Sequence, residues 1–263
     1  MEVIICASEE QVGRIAASRI ASALTLREAP VMGLATGSSP LGTYAALKQR
    51  VDAGTLHLAN ATFFALDEYL GLSASDPNSY AATIRNTFTV PLGIDPARVR
   101  VPPGDGEDVE DVEAACDAYE QAIVEAGGVD VQILGIGSNG HIGFNEPGSS
   151  FSSRTRIKTL TARTRADNAR FFGPEFVPTH CVTQGLGTIM DAGHLVLTAL
   201  GPNKADAVAA AVEGPVSAMC PASILQFHRT ATVVVDEAAA SKLKLTDYYR
   251  DAFALLPQQR RPT

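Results

Sequence analysis

The sequence predicts an α/β fold: an open, mainly parallel sheet with helices on both faces. Three observations predict it. Short, near-continuous apolar runs recur along the chain, as strands buried on both faces require. Segments with apolar residues at helical spacing separate them, which calls for parallel pairing through right-handed crossovers. Of the 263 residues, 46% are hydrophobic and 19% charged, enough apolar material for a large core.

The elements follow in order. Residues 3–6 (VIIC) read as a strand. Val12, Ile15, Ala16, Ile20, Ala23 and Leu24 then share one helical face. Residues 31–35 are a buried strand, 40–51 a helix with Pro40 suited to its first turn, and 61–66 a strand. The clearest helix is 110–126, where Val112, Ala115, Cys116, Tyr119, Ala122, Ile123 and Ala126 lie on one side and Gly127-Gly128 closes the run. Residues 129–136, 195–200 and 232–235 read as strands, and 203–212 and 248–256 as helices. The stretch 102–111 is an acidic surface loop; 171–178, with Pro174 and Pro178, is an irregular connection expected to be mobile. The length suits one domain over 1–263.

Composition excludes several classes. A net charge of −8 disfavours a nucleic-acid partner. Cys6, Cys116, Cys181 and Cys220 are too far apart in sequence for a metal knuckle or redox pair. The first residues lack a basic leader region, and no apolar run approaches the roughly 20 residues that cross a membrane. A soluble, cytoplasmic protein with free thiols is the expectation.

In open parallel sheets, ligands bind outside the carboxyl ends of the strands. Three such ends carry unusual polar groups. Thr36-Gly37-Ser38-Ser39-Pro40 joins a strand to a helix, and its hydroxyls and free N–H groups suit an anion. It is not a Walker loop, and a helix cap at Ser38 or Ser39 is an equal reading. Asp67-Glu68-Tyr69 follows a buried strand; a carboxylate there suits a general base, although taken alone a solvated strand end or capping acid is favoured.

The third end is 135–148, with Gly135, Gly137 and Gly140 in a dinucleotide-like pattern. Pro147 and Gly148 break any following helix, and no acid stands near 158–160 to hold a ribose, so a nicotinamide cofactor is rejected. What remains is a glycine-rich loop presenting His141 and Glu146, an oriented acid/base pair, with Asn139 placed to position the same ring or a substrate hydroxyl. His57, His180, His194 and His228 show no ligand spacing with His141, so no metal is called for. Six basic residues (Arg154, Arg156, Lys158, Arg163, Arg165 and Arg170) are opposed only by Asp167, a local positive patch suited to phosphate. Lys204 also stands at the sheet mouth.

Taken together, these residues resemble one family. The runs 140–147 (GHIGFNEP) and 66–69 (LDEY) are similar to those of glucosamine-6-phosphate deaminases, as are 36–40 (TGSSP), 153–160 (SRTRIKTL) and 168–172 (NARFF). The match runs in order to about Tyr249 and covers nearly the whole chain. The resemblance implies a Rossmann-like sheet. It also implies conversion of glucosamine 6-phosphate to fructose 6-phosphate and ammonia in amino-sugar catabolism, without metal or cofactor, an activity we place among hydrolases acting on amino-sugar phosphates. By resemblance Asp67 is the base that moves the proton between C2 and C1, His141 assists ring opening, and Glu146 orients it. Thr36, Gly37, Ser38, Ser39, Arg170 and Lys204 would hold the substrate phosphate. Many members carry Asp where this chain has Asn139, so the ring-opening role leans on Glu146.

The resemblance also implies a mobile lid over about 160–183. Some members are hexamers activated by N-acetylglucosamine 6-phosphate at subunit interfaces. The residues of that pattern are Ser149, Arg156, Lys158 and Thr159, with Tyr248 or Tyr249 near the carboxyl end. A homo-oligomer with allosteric activation is therefore expected. Three alternatives stand beside this reading. The 6-phosphogluconolactonases share the fold but carry Thr-Ala-Ser-Leu-Phe-Pro after Gly-His, where this chain has Ile142-Gly143-Phe144-Asn145-Glu146-Pro147. A galactosamine 6-phosphate enzyme differs by one epimer. A sugar-phosphate sensor would not need Asp67, His141 and Glu146 together.

Overall fold

The computed structural model describes residues 1–105, 109–172 and 177–257. Residues 106–108 of the acidic stretch, 173–176 of the irregular connection, and 258–263 lie outside the described residues.

Strand β1 (Glu2–Cys6) leads into helix α1 (Glu9–Leu24), which Ser8 caps by accepting the Gln11 N–H at 3.2 Å. Next come β2 (Val31–Leu34), α2 (Leu41–Asp52), β3 (Thr62–Ala65) and β4 (Asp67–Tyr69). The short helices α3 (Tyr80–Ile84) and α4 (Val90–Leu92) precede β5 (Val99–Arg100), α5 (Val109–Glu125) and β6 (Val131–Leu134). Then follow β7 (Arg156–Thr159), α6 (Ala162–Asn168), β8 (His180–Thr183), α7 (Leu186–Met190) and β9 (His194–Ala199). The last elements are α8 (Ala205–Val212), β10 (Ala231–Asp236) and α9 (Thr246–Ala254).

Among the described residues, seven strands form a parallel sheet in the order β1-β10-β9-β6-β2-β3-β5. This is the predicted α/β sheet flanked by helices. The chain crosses it in one direction from β1 through β2 and β3 to β5, and in the other from β6 through β9 to β10. Right-handed crossovers then put α1 and α2 on one face and α5 and α8 on the other. The direction reverses between β2 and β6, so the crevice at their carboxyl ends is the natural ligand site. Both of those strands are wholly buried. Beside them Phe88 packs edge-to-face on Tyr44 and Phe63, with ring centroids 4.9 and 5.0 Å apart.

A second, three-stranded antiparallel sheet, β4-β8-β7, was not expected. β4 is three residues long and follows β3 after Leu66 alone, so the two read as one strand with a polar end. β7 (RIKT) is too charged to read as a strand. Leu66 ties the sheets together: its N–H donates to the Leu34 carbonyl at 3.0 Å, and its carbonyl accepts from Gln184 N–H at 2.8 Å. Other departures are smaller. The strand expected over 129–136 shortens because Gly135 already leaves the ladder. The helix expected over 203–212 opens with a 3₁₀ turn, Pro202–Lys204. The helical region over 80–92 was not predicted. No helix among the described residues is long and apolar enough to cross a membrane.

Glu120 on α5 fastens the second sheet to the first. It accepts from Thr155 N–H at 2.8 Å, from the Thr155 hydroxyl, from the Thr188 hydroxyl at 2.6 Å and from Arg154 at 2.6 Å. Those hydrogen bonds and the Arg154 charge outweigh burial and hold its carboxyl below the usual range. Glu120→Ala should cost at least about 2 kcal/mol, since even one charge-assisted bond of this kind is worth roughly 1.5–3. A lowered urea midpoint would register the loss.

Candidate active site

A cleft of about 260 Å³ opens at the β2/β6 crevice. Loop 36–39 after β2, Asp67 at the start of β4, the 135–144 loop after β6, and α6 with Arg170 and Lys204 border it.

Thr36, Gly37, Ser38, Ser39, Arg170 and Lys204 all line this cleft, as expected for one anion site. The capping alternative for the serines is not realised: Pro40 is the cap residue of α2 and no side-chain bond caps that helix. Tyr44 braces the loop from beneath, donating to the Ala35 carbonyl at 2.7 Å and accepting its N–H at 3.0 Å. Lys204 donates to the Ile136 carbonyl at 2.7 Å. Burial lowers the Lys204 pKa, Asp167 raises it and Arg170 lowers it further, with a net fall.

Asp67 and Glu68 divide by strand alternation. Glu68 turns to the start of α3, where its carboxylate accepts N–H bonds from Tyr69, Tyr80 and Ala81, each at 2.8 Å. Even so, burial keeps its pKa raised. Asp67 turns to the cleft and is only 6% exposed. Burial first, and the neighbouring Glu68 charge second, push its pKa up to about 8. Alternatives that leave it a solvated strand end are therefore excluded.

The 135–148 loop presents His141 by close backbone packing. Gly137 lies so near the imidazole that a Cβ there would stand 2.2 Å from the ring. Gly140 takes φ +85°, a left-handed conformation that favours glycine. Glu146 is buried behind His141, with Oε2 3.7 Å from Nδ1, an ion-pair distance beyond hydrogen bonding. Burial works to raise the Glu146 pKa, but His141 and the Thr164 and Thr161 donors bring it down to about 2. Asn139 does not meet the imidazole, correcting one of its two expected roles. Its Nδ2 donates to Glu146 Oε2 at 2.7 Å and its Oδ1 accepts the backbone N–H of His141 at 3.2 Å.

The basic run does not form one patch. Arg154 pairs with Glu120 and Asp191, each at 2.6 Å. Arg156 and Lys158 lie on β7, and Arg163 donates to the Ser138 hydroxyl at 3.0 Å. Of the run, Arg170 lines the cleft. Ser149, Arg156, Lys158 and Thr159 do not line it; Ser149 is buried and Thr159 is exposed at the end of β7. Residue-by-residue reading also passed over a wall of side chains. Tyr69 packs against Tyr80, Phe144 and Phe172, with centroids 4.7, 5.4 and 5.0 Å away, and accepts from Asn168 Nδ2 at 3.0 Å. Thr161 was passed over too, although a threonine opening a helical run is a recognisable cap signal.

Residues 7–234 match the family described as glucosamine-6-phosphate isomerases/6-phosphogluconolactonase. The chain belongs to this family. A glucosamine-6-phosphate deaminase from Cutibacterium acnes is 64% identical over 251 residues, 95% of each chain. One from Pseudarthrobacter chlorophenolicus is 56% identical over 96% of each. A solved monomeric glucosamine-6-phosphate deaminase superposes with a TM-score of 0.88 at 42% identity, over 92% of this chain and all of that one. A 6-phosphogluconolactonase from Leishmania guyanensis (TM-score 0.71, 22% identity, 91% and 97% covered) shares the fold alone. The family resemblance is thus shown. Placing the activity among hydrolases is corrected: the family's description names isomerases and its near relatives are deaminases, so nitrogen release belongs with an isomerisation.

The raised Asp67 has a stability consequence. Folded, it keeps its proton up to about pH 8; unfolded, it releases it near pH 4. Between those values the folded state binds more protons, so stability falls as pH rises. Asp67→Asn removes that titration. At pH 8 the variant should be more stable by at least about 1 kcal/mol, and the gain should vanish at pH 4 in urea unfolding curves.

Proposed function

We propose that this cleft isomerises and deaminates glucosamine 6-phosphate, giving fructose 6-phosphate and ammonia. The observation that carries the reading is the buried Asp67 carboxyl, with its pKa near 8, facing one cleft with His141 and the 36–39 loop. Arg170, Lys204 and loop residues Thr36, Gly37, Ser38 and Ser39 hold the phosphate at one end. At the other, His141 moves the ring-oxygen proton as the sugar opens, supported by Glu146, whose own position Asn139 sustains. Asp67 then takes the C2 proton and returns it to C1. The nitrogen is left on a C2 that has become a ketimine carbon, and ammonia leaves as water enters there. Matching of the catalytic pKa to neutral conditions makes such a base effective.

The chain is proposed to act as one α/β domain, with residues 160–183 as a lid; the placement of Thr164, Asp167 and Asn168 along the cleft supports this. We also propose a cytoplasmic protein without a nucleic-acid partner. Homo-oligomerisation, to a hexamer, and activation by N-acetylglucosamine 6-phosphate at Ser149, Arg156, Lys158 and Thr159 form a separate proposal. In its support, Arg156 and Lys158 stand half-buried side by side on β7 with Thr159, Arg156 also donating to the Arg154 carbonyl at 3.3 Å. Rates with and without the acetylated sugar phosphate decide it, and unchanged hyperbolic kinetics would remove it.

The principal test incubates the protein with glucosamine 6-phosphate, without metal or nucleotide. Ammonia and fructose 6-phosphate should form in equal amounts. Asp67→Asn should lower kcat at least about 10²-fold. For the parent, kcat/KM should climb with pH as Asp67 ionises and level off above about pH 8. Consumption of 6-phosphogluconolactone in place of the amino sugar would support the lactonase alternative instead.

A further inference from the structure

Glu146 is held from two sides. From its own loop, Asn139 Nδ2 donates to Oε2 at 2.7 Å. From the start of α6, Thr161 donates to Oε1 through its N–H and its hydroxyl, both at 3.1 Å. That hydroxyl is also the cap of α6, accepting the Thr164 N–H at 3.2 Å. Thr161 therefore joins the first turn of a helix over the cleft to the carboxylate beside His141, and the Thr164 side chain bonds the same carboxylate from within that turn.

Three further bonds seat the same helix and its end. Asp167 accepts from the Ser138 hydroxyl at 2.7 Å, Arg163 donates to that hydroxyl at 3.0 Å, and Asn168 donates to Tyr69 at 3.0 Å. These hold α6 to the rim. Those three residues do not bond the carboxylate; Thr161 meets it through two donors, backed by the Thr164 side chain.

We propose that Thr161 is a positioning residue that couples the docking of α6 to the orientation of Glu146, so that the His141–Glu146 pair is set for ring opening only when α6 is seated. The inference deepens the functional reading above and rests on it. A carboxylate accepts on both oxygens. With α6 lifted, the carboxylate loses both Thr161 donors and the Thr164 side chain together, and it turns about its last torsion with Asn139 as the donor that stays. His141 Nδ1 is buried without a hydrogen-bond partner, so it is the atom that the carboxylate must serve. At 3.7 Å a small rotation of the carboxylate decides whether it does. The other titratable groups around the pair are Asp67 and Tyr69 on β4, Tyr80 on α3, Cys181 on β8, Asp167 and Arg170 on and after α6, Lys204 after β9, and Cys220 against Gly140.

Two arms test the coupling. Thr161→Val keeps the N–H and removes the hydroxyl. It should lower kcat about tenfold with KM changed less than about twofold, the scale of one charge-assisted bond, and Thr161→Ser should restore the rate. The second arm needs no turnover. Amide hydrogen exchange at residues 161–165 is compared in the parent, Glu146→Gln and Glu146→Leu. A glutamine accepts on one oxygen and cannot serve both Asn139 and Thr161; leucine accepts on none. Exchange should quicken about threefold or more in Glu146→Leu and by a smaller factor in Glu146→Gln. Unchanged exchange in both variants would overturn the proposal and leave Thr161 a helix cap, as would an unchanged kcat in Thr161→Val. A parent protein that releases no ammonia would instead overturn the functional reading, while the exchange arm still decides the coupling.

Discussion

Leu66 belongs to two sheets at once, and the site depends on that. Its N–H continues the ladder of the parallel sheet towards Leu34, while its carbonyl accepts from Gln184, just beyond β8. The chain thus passes from one sheet to the other across a single residue. Asp67 is carried into the seam between them, where water is scarce and a carboxyl holds its proton. Because side chains alternate along a strand, the adjacent Glu68 points elsewhere and is taken up by the N–H groups at the start of α3. Two neighbouring acids therefore end in different environments: one is a fixed anchor for backbone donors, the other a buried carboxyl that faces the cleft.

The same economy governs positive charge. A chain of net charge −8 does not need a broad basic surface to bind an anion. The run from Arg154 to Arg170 suggests such a surface, but folding disperses it. Arg154 is consumed by Glu120 and Asp191 in fastening α5 to the second sheet, and Arg163 is turned onto Ser138. At the cleft stand Arg170, Lys204 and a hydroxyl-rich loop at the start of α2. Oriented donors at a helix start bind a phosphate with few full charges. This also spares the nearby Asp67 a crowd of cations, which would lower its pKa and weaken the base that the proposed reaction needs.

The parallel sheet was legible because burial on both faces writes near-continuous apolar runs into the sequence. Strand ends after β2, β3 and β6 were legible as ligand positions for the same reason, since polar groups and glycines interrupt those runs abruptly. The second sheet was not: β4 hides behind Leu66, and β7 carries Arg156 and Lys158 in four residues. For Asp67, local reading favoured a solvated strand end, and only the family resemblance pointed to a base; the missing fact was the seam that buries it. Contacts such as Asn168 to Tyr69 span 99 positions and leave no local signal. Thr161 did leave one, as a cap, but its second partner lies 15 residues away on another loop.

Asn139 shows how a single departure from the common family pattern is absorbed. An acid at this position would bring a second carboxylate close to His141, beside Glu146. The amide instead donates to Glu146 and accepts from the His141 backbone, so it bridges the two without adding charge. Glu146 is then the one carboxylate in contact with His141 among the described residues, and its pKa falls to about 2 while that of Asp67 rises to about 8. Carboxyl groups pushed apart in this way take different roles at neutral pH. In the proposed reaction Glu146 stays ionised beside the imidazole, and Asp67 exchanges its proton. A neutral Asn139 keeps that separation wide, because neither carboxyl is raised by a further like charge in the loop.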